Sequence, residues 1–242
     1  MTKAERADPS QAGDGGEGAR RVDSPGYLAA VVDLLGLLAC GELAAFSRLA
    51  ADAELAPSFG VRTRMAGLAV QEYGHFRLLV DELAARGVDP ESAMAGFGAH
   101  FDTFHERTRP STWLEGVVKA YVGEGIASDF YREIAAYVDS PTRALVEQAL
   151  EDGERTDYLV QIAREAMAAD PGTAGRLALW ARRLLGEALT QAQAVAVERD
   201  SLTELLAGRY GGPGADLAEM GRMFARLTDA HVQRMARLGL TA

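Results

Sequence analysis

Residues 65–79 read MAGLAVQEYGHFRLL. Met65, Glu72 and Leu79 are seven residues apart, so they share one face of a helix. An acidic side chain therefore stands in the middle of an apolar stripe. His75 follows Glu72 by three residues, one turn along the same face. Glu-x-x-His on the inward side of a helix offers a carboxylate and an imidazole to a single metal ion.

The same seven-residue step places an acid in three other helical segments. It gives Leu28, Leu35, Glu42 and Leu49 in the first helix, and Val117, Glu124, Tyr131 and Val138 in the third. In the fourth it gives Leu145, Asp152, Leu159 and Ala166. Each acid lies near the middle of its helix, so the four are expected to meet at one level. Four carboxylates buried together cost several kcal/mol each unless cations compensate them. A pair of divalent ions is the natural remedy. One Glu from each of two helices, joined by Glu-x-x-His from the others, is the ligand pattern of di-iron carboxylate bundles.

The fourth helix departs from that pattern. Three residues after Asp152 stands Arg155, which cannot ligate a metal and stays charged. Glu151 and Glu154 are the competing acids there. Their seven-residue neighbours include Glu165 and Glu147, which favours Asp152 for the inward position. Arg155 is expected to replace part of a second metal's charge, weakening or emptying that site. Glycines 41, 74, 123, 125 and 153 flank the acids, either for close helix packing or as room for a ligand.

Six helices follow from the 3.6-residue pattern. They cover about 25–53, 61–86, 111–139, 142–169, 174–206 and 215–238. A long connection over 88–110 carries a short helix near residues 93–105. Tight joins within each helix pair and one long crossover between the pairs give a ferritin-like bundle. The fold class is thus all-α: a four-helix bundle with one long crossover plus two additional C-terminal helices. The domain is expected over 24–242. Residues 1–23, poor in apolar side chains, form a disordered tail and no signal peptide.

The chain of 242 residues carries a net charge of −10. Residues 24–170 hold 12 basic and 23 acidic side chains, which repels polyanions, whereas residues 171–242 hold nine and seven. Only the C-terminal segment is suited to face nucleic acid. Arg176, Arg182 and Arg183 read as a solvated face, with an RNA contact as the alternative. Cys40 is the single cysteine, so no intrachain disulfide forms and a cytoplasmic location is the default. No charge-free apolar stretch is expected to span a bilayer. His100 and His105 fall in the crossover as surface or loop-packing residues. His231 reads as structural, with a role near the site as the alternative, and Glu187 as a partner near the site or a buried hydrogen-bonding group.

At GELAAF (41–46), QEYGH (71–75), VGEGIASDF (122–130) and LEDGERTDY (150–158), the chain resembles an actinobacterial branch of ferritin-like proteins. That branch is related to the bacterial di-iron hydroxylase acting on 2-methylthio-isopentenyl-adenosine in tRNA. The resemblance runs from about Ser24 to the C-terminus, including GRLALWARRLLGEALTQAQ (175–193) and FARLTDAHVQRMARLGL (224–240). It implies that Glu42, Glu72, His75, Glu124 and Asp152 are metal ligands, with Arg155 where the family has histidine. One or two iron ions are the implied cofactor, and an electron donor the implied partner. The substrate would be a small molecule or tRNA, and a homodimer is a further partner state. Two functions stand side by side: a hydroxylase with an altered second metal site, or a non-catalytic binding or scaffold bundle. Iron storage is a third reading, disfavoured because a cage-forming ferritin has no need of the two C-terminal helices.

Overall fold

The computed structural model describes residues 24–151 and 155–241, with the Arg155 side chain left out. The expected tail, 1–23, lies outside these residues, as do Asp152, Gly153 and Glu154. Ten α-helices and no strand occur among the described residues.

The first helix, α1 (Pro25–Asp52), starts where Ser24 accepts a hydrogen bond from the Tyr27 amide and Pro25 takes the first helical position. Helix α2 (Phe59–Ala85) starts under a Ser58 cap and ends before Gly87, whose φ of 75° suits glycine. The two pack along their whole length. The crossover holds α3 (Pro90–Met94), capped by Asp89, and α4 (Gly98–Arg107). Helix α5 (Trp113–Ala135) begins at a Thr112 cap. It is followed by α6 (Ser140–Ala149), capped by Asp139, and α7 (Arg155–Ala169). Beyond the bundle lie α8 (Gly172–Glu198), α9 (Asp200–Leu206) and α10 (Leu217–Leu238). Helix α5 packs against α1, α7, α8 and α10, while α2 packs against α6. The crossover runs across α1, and α4 closes against α8.

Two expectations change. The fourth helix is not continuous: α6 stops at Ala149, where Leu150 leaves helical geometry and Arg132 takes the Leu150 carbonyl (2.9 Å). Its buried stripe is Thr142, Val146 and Ala149, one position off the Leu145 stripe. The seven-residue step through Asp152 therefore crosses a helix end. The fifth helix also divides. At Arg199 the backbone turns to φ −124°, ψ 83°, and the guanidinium lies over the Phe97 ring and near Asp33. The turn lets Leu202 and Leu205 of α9 join the core beside α1. Pro25–Leu55 is long and apolar enough to cross a membrane by length and composition, although it carries Asp33 and Glu42 and so is not the charge-free stretch that a span was expected to need. In this fold it is the central bundle helix, with half of its apolar window buried.

The apolar core falls into two clusters. One holds Leu34, Leu35 and Leu38 of α1 with Leu79 and Leu83 of α2; the other holds Leu49 of α1 with Met65, Leu68 and Ala69 of α2. Glu42 and Glu72 occupy the gap between them on their respective helices. Leu28, assigned to the inward stripe, is 43 % exposed. It lies two heptads from Glu42, and a straight helix drifts about 20° per heptad away from a seven-residue repeat.

One tie fixes the first cluster. The Tyr27 hydroxyl donates to Asp139 (2.6 Å) and accepts from the Asp139 amide (2.7 Å). Burial alone would raise the Asp139 carboxyl, but hydrogen bonds from Tyr27 and Thr142 hold it below its ordinary value. A depressed carboxyl contributes stability above its unfolded value and loses it as pH falls through the folded one. Tyr27→Phe should therefore destabilise by about 1–3 kcal/mol at pH 7. Urea titrations should show the deficit shrinking as Asp139 protonates in acid.

Candidate metal centre and adjoining cavity

Because α1 and α2 pack so closely, their inward acids face each other. Glu42 is 2 % exposed and Glu72 fully buried. His75, one turn after Glu72, brings its Nδ1 to 3.5 Å from the Glu72 carboxylate and 3.6 Å from that of Glu42. Each residue offers one ligand atom, and the three atoms lie within 4.8 Å of one another. Two carboxylate oxygens and an imidazole nitrogen suit a divalent first-row metal such as iron, manganese or zinc. The burial makes the case physical: two carboxylates held this close inside a bundle repel each other, and a cation between them removes the cost. The donor set thus fits the metal that the sequence led us to expect.

Glu124 sits on α5, half-buried, with Ser128 donating to its carboxylate (3.4 Å). It is not part of the close Glu–Glu–His group. It shares a cavity wall with Glu42, and the buried Tyr131 phenol lies near both. Burial first, then the Glu42 and Glu124 charges, push that phenol well above its ordinary value. Neither Asp152 nor the Arg155 side chain is among the described groups, so the fourth helix contributes no placed ligand. Cys40 is half-buried; burial, then Asp102, push its thiol up to about 11, and it remains protonated.

The flanking glycines divide by role. A Cβ on Gly41 would stand 2.7 Å from the Tyr131 hydroxyl, and one on Gly125 would collide with Arg234. Both serve close packing. Gly123 lines the cavity, and Gly74 faces open space.

Beside Glu42 and Glu124 opens a cavity of about 170 Å³ between α1, α4, α5 and α8. Its walls are mainly apolar, with Phe101, Phe104, Phe130 and Leu189 among them. Toward the ends of α4 and α1 the lining turns polar, with Arg48, Asp52, His105 and Lys119. The sequence reading missed Lys119. It is 6 % exposed and donates to the Thr108 carbonyl (2.8 Å). Burial pulls its ammonium down to about 8; Asp52 opposes this, and Arg48 and Arg109 add to it. The signal was there: one lysine inside VVKAYV (117–122), an otherwise apolar run. His105, assigned to loop packing, borders the cavity. Burial, then Lys119 and Arg48, hold its imidazole down at about 3, so it is neutral. His100 also reaches the cavity and contacts Glu198 (3.0 Å). Glu187 pairs instead with Arg107 (3.3 Å), and His231 is buried in α10.

With fold and site in hand, comparison with known proteins gives the class. The family model for the ferritin-like domain of actinomycetes matches residues 25–209, and the chain belongs to that family. No curated protein matches the sequence closely.

If the two buried carboxylates are there to hold a cation, they strain the metal-free fold. Glu72→Gln should then stabilise the protein in chelator by about 1–3 kcal/mol. Urea unfolding with and without chelator reads this directly. A destabilised variant would mean that Glu72 serves the fold itself.

Proposed function

We propose that this protein is a ferritin-like iron oxidoreductase of the di-iron type that hydroxylates a small molecule at an apolar part of its body. The observation that carries the reading is the buried Glu42–Glu72–His75 group, with Glu42 also opening onto an apolar cavity. Glu42, Glu72 and His75 would hold one iron ion. Glu124 and, from the fourth helix, Asp152 would complete the second position, which Arg155 would weaken. Iron supplies the chemistry that side chains lack, namely electron transfer to dioxygen and attack on a C–H bond. The chain's own part is geometric. Helices α1 and α2 fix the ligands through close packing. Phe101, Phe104 and Phe130 exclude water and seat an apolar group beside Glu42 and Glu124. The Tyr131 phenol, kept protonated, stands close enough to feel both carboxylates and would offer a proton donor beside them. An electron donor and a cytoplasmic location belong to the same proposal.

The charges of α10 favour a small molecule over tRNA. Arg226 pairs with Glu133 and Glu219, Arg222 with Glu219, Arg234 with Asp129, and Arg237 with Asp157. The basic segment expected to face nucleic acid thus spends its charge within the chain. Equal amounts of hydroxylated isopentenyl-adenosine in tRNA from wild-type and deletion cells are the expected result; a loss in the deletion would restore the tRNA reading.

The alternative is a non-catalytic scaffold with a degenerate site. It draws support from the end of α6 at Ala149, which interrupts the fourth ligand-bearing helix. Iron retention separates the two. After loading with ferrous iron and desalting, the wild-type chain should keep about one ion. Glu72→Gln and His75→Ala should weaken retention by at least ten-fold, while Arg155→His should raise the content toward two. A wild-type chain that keeps no iron would leave the scaffold reading standing.

A further inference from the structure

The cavity has two electrically different ends. On α1, Glu42 stands at one and Arg48 at the other, six residues or about 9 Å apart along the axis. On α5, Glu124 and Lys119 repeat the arrangement, five residues or about 7.5 Å apart. Both helices thus run from carboxylate to cation along the same wall. The rest of the lining is mainly apolar, led by Phe101, Phe104 and Phe130, with His100, Tyr131 and Gln191 as its other polar side chains.

The cationic end has unused capacity. Lys119 is nearly buried, and among the described residues its Nζ donates to one acceptor, the Thr108 carbonyl. An ammonium has three donors. The Nδ1 of His105 is buried without a hydrogen-bond partner among the described residues. Arg48 lies at the exposed rim of the same end. Asp52 offsets one of the positive charges of Lys119 and Arg48, and Arg109 adds another close to Lys119, so this end stays net positive. A buried cation with open donors, beside an unpartnered imidazole and at the end of an apolar channel, calls for an anion.

We propose that the cavity binds an amphiphilic small molecule with a single oxyanion head, a carboxylate or a phosphate, seated between Lys119, His105 and Arg48. Its apolar body runs past Phe104 and Phe101 toward Glu42 and Glu124. The cationic end sets one orientation, because the head is attracted at Lys119, and while no cation neutralises them the Glu42 and Glu124 carboxylates add repulsion at the other end. The carbon that reaches the metal centre is then the one farthest from the head. Cavities of about 150 Å³ accept a benzene-sized guest, so the body is short. The inference rests on the reading of this cavity as a substrate site and does not depend on iron being bound.

Calorimetric titration of the full chain with hexanoate, hexyl phosphate and hexan-1-ol tests it. Hexanoate or hexyl phosphate should bind at least ten-fold more tightly than hexan-1-ol, and whichever of the two is tighter identifies the head. Lys119→Met should abolish that preference while leaving hexan-1-ol binding within about two-fold. Arg48→Gln, an exposed change that spares the core, should weaken the anionic probe alone by a few-fold. Ala188→Trp, which fills the cavity, should remove binding of all three. Equal affinity for the acid and the alcohol on the wild-type chain would overturn the proposal. Anion binding that survives Ala188→Trp would do the same. The outcome is separable from the metal reading: a chain that retains iron but prefers hexan-1-ol refutes only the oxyanion site. One that prefers hexanoate but keeps no iron refutes only the oxidoreductase.

Discussion

Two carboxylates buried face to face set the terms for this bundle. Glu42 and Glu72 stand on the packed faces of α1 and α2, between two apolar clusters to which both helices contribute. A bundle built for stability alone would place leucine at both positions and close the gap. The acids are tolerable because hydrophobic burial above and below holds the helices in register. They are useful because that register brings His75 against both of them. Stability is thus concentrated in the two clusters and withdrawn from the level between them. Iron chemistry would need ligands that the surrounding fold holds in place.

The crossover does more than connect two helix pairs. By laying α4 across α1 and against α8, it roofs a cavity that the four bundle helices alone would leave open. Phe101 and Phe104 come from this segment, and so does His105. Helix α8 supplies the opposite wall with Leu185, Ala188 and Leu189. The segments outside the four-helix core therefore shape the cavity, while the core shapes the ligand set. That division separates the chemistry of the site from its selectivity. Three arginines of α10, Arg226, Arg234 and Arg237, are meanwhile drawn to acids on α5 and α7.

Much of this was legible in the sequence, because the carboxylate level obeys a simple period. Met65, Glu72 and Leu79 are all buried, as the seven-residue step required. Leu28 failed because the drift between 3.6 and 3.5 residues per turn accumulates over two heptads. The breaks at Ala149 and Arg199 were invisible to periodicity because tertiary contacts make them: Arg132 takes a terminal carbonyl, and Arg199 stacks on Phe97. Neither position carries the glycine or proline that marks a helix end locally. The cationic end of the cavity was missed for a related reason. Its members come from three separate helices and meet only once the crossover has folded. Lys119 alone, a charge inside an apolar run, announced it.

The central claim is that the Glu42–Glu72–His75 group holds iron. Crystals grown with ferrous iron under anaerobic conditions, with diffraction collected on both sides of the iron absorption edge, address it at atomic level. The account predicts an edge-dependent anomalous peak bonded to Glu42, Glu72 and His75, with a second peak beside Glu124 weak or missing. No peak within bonding distance of those three side chains would contradict it.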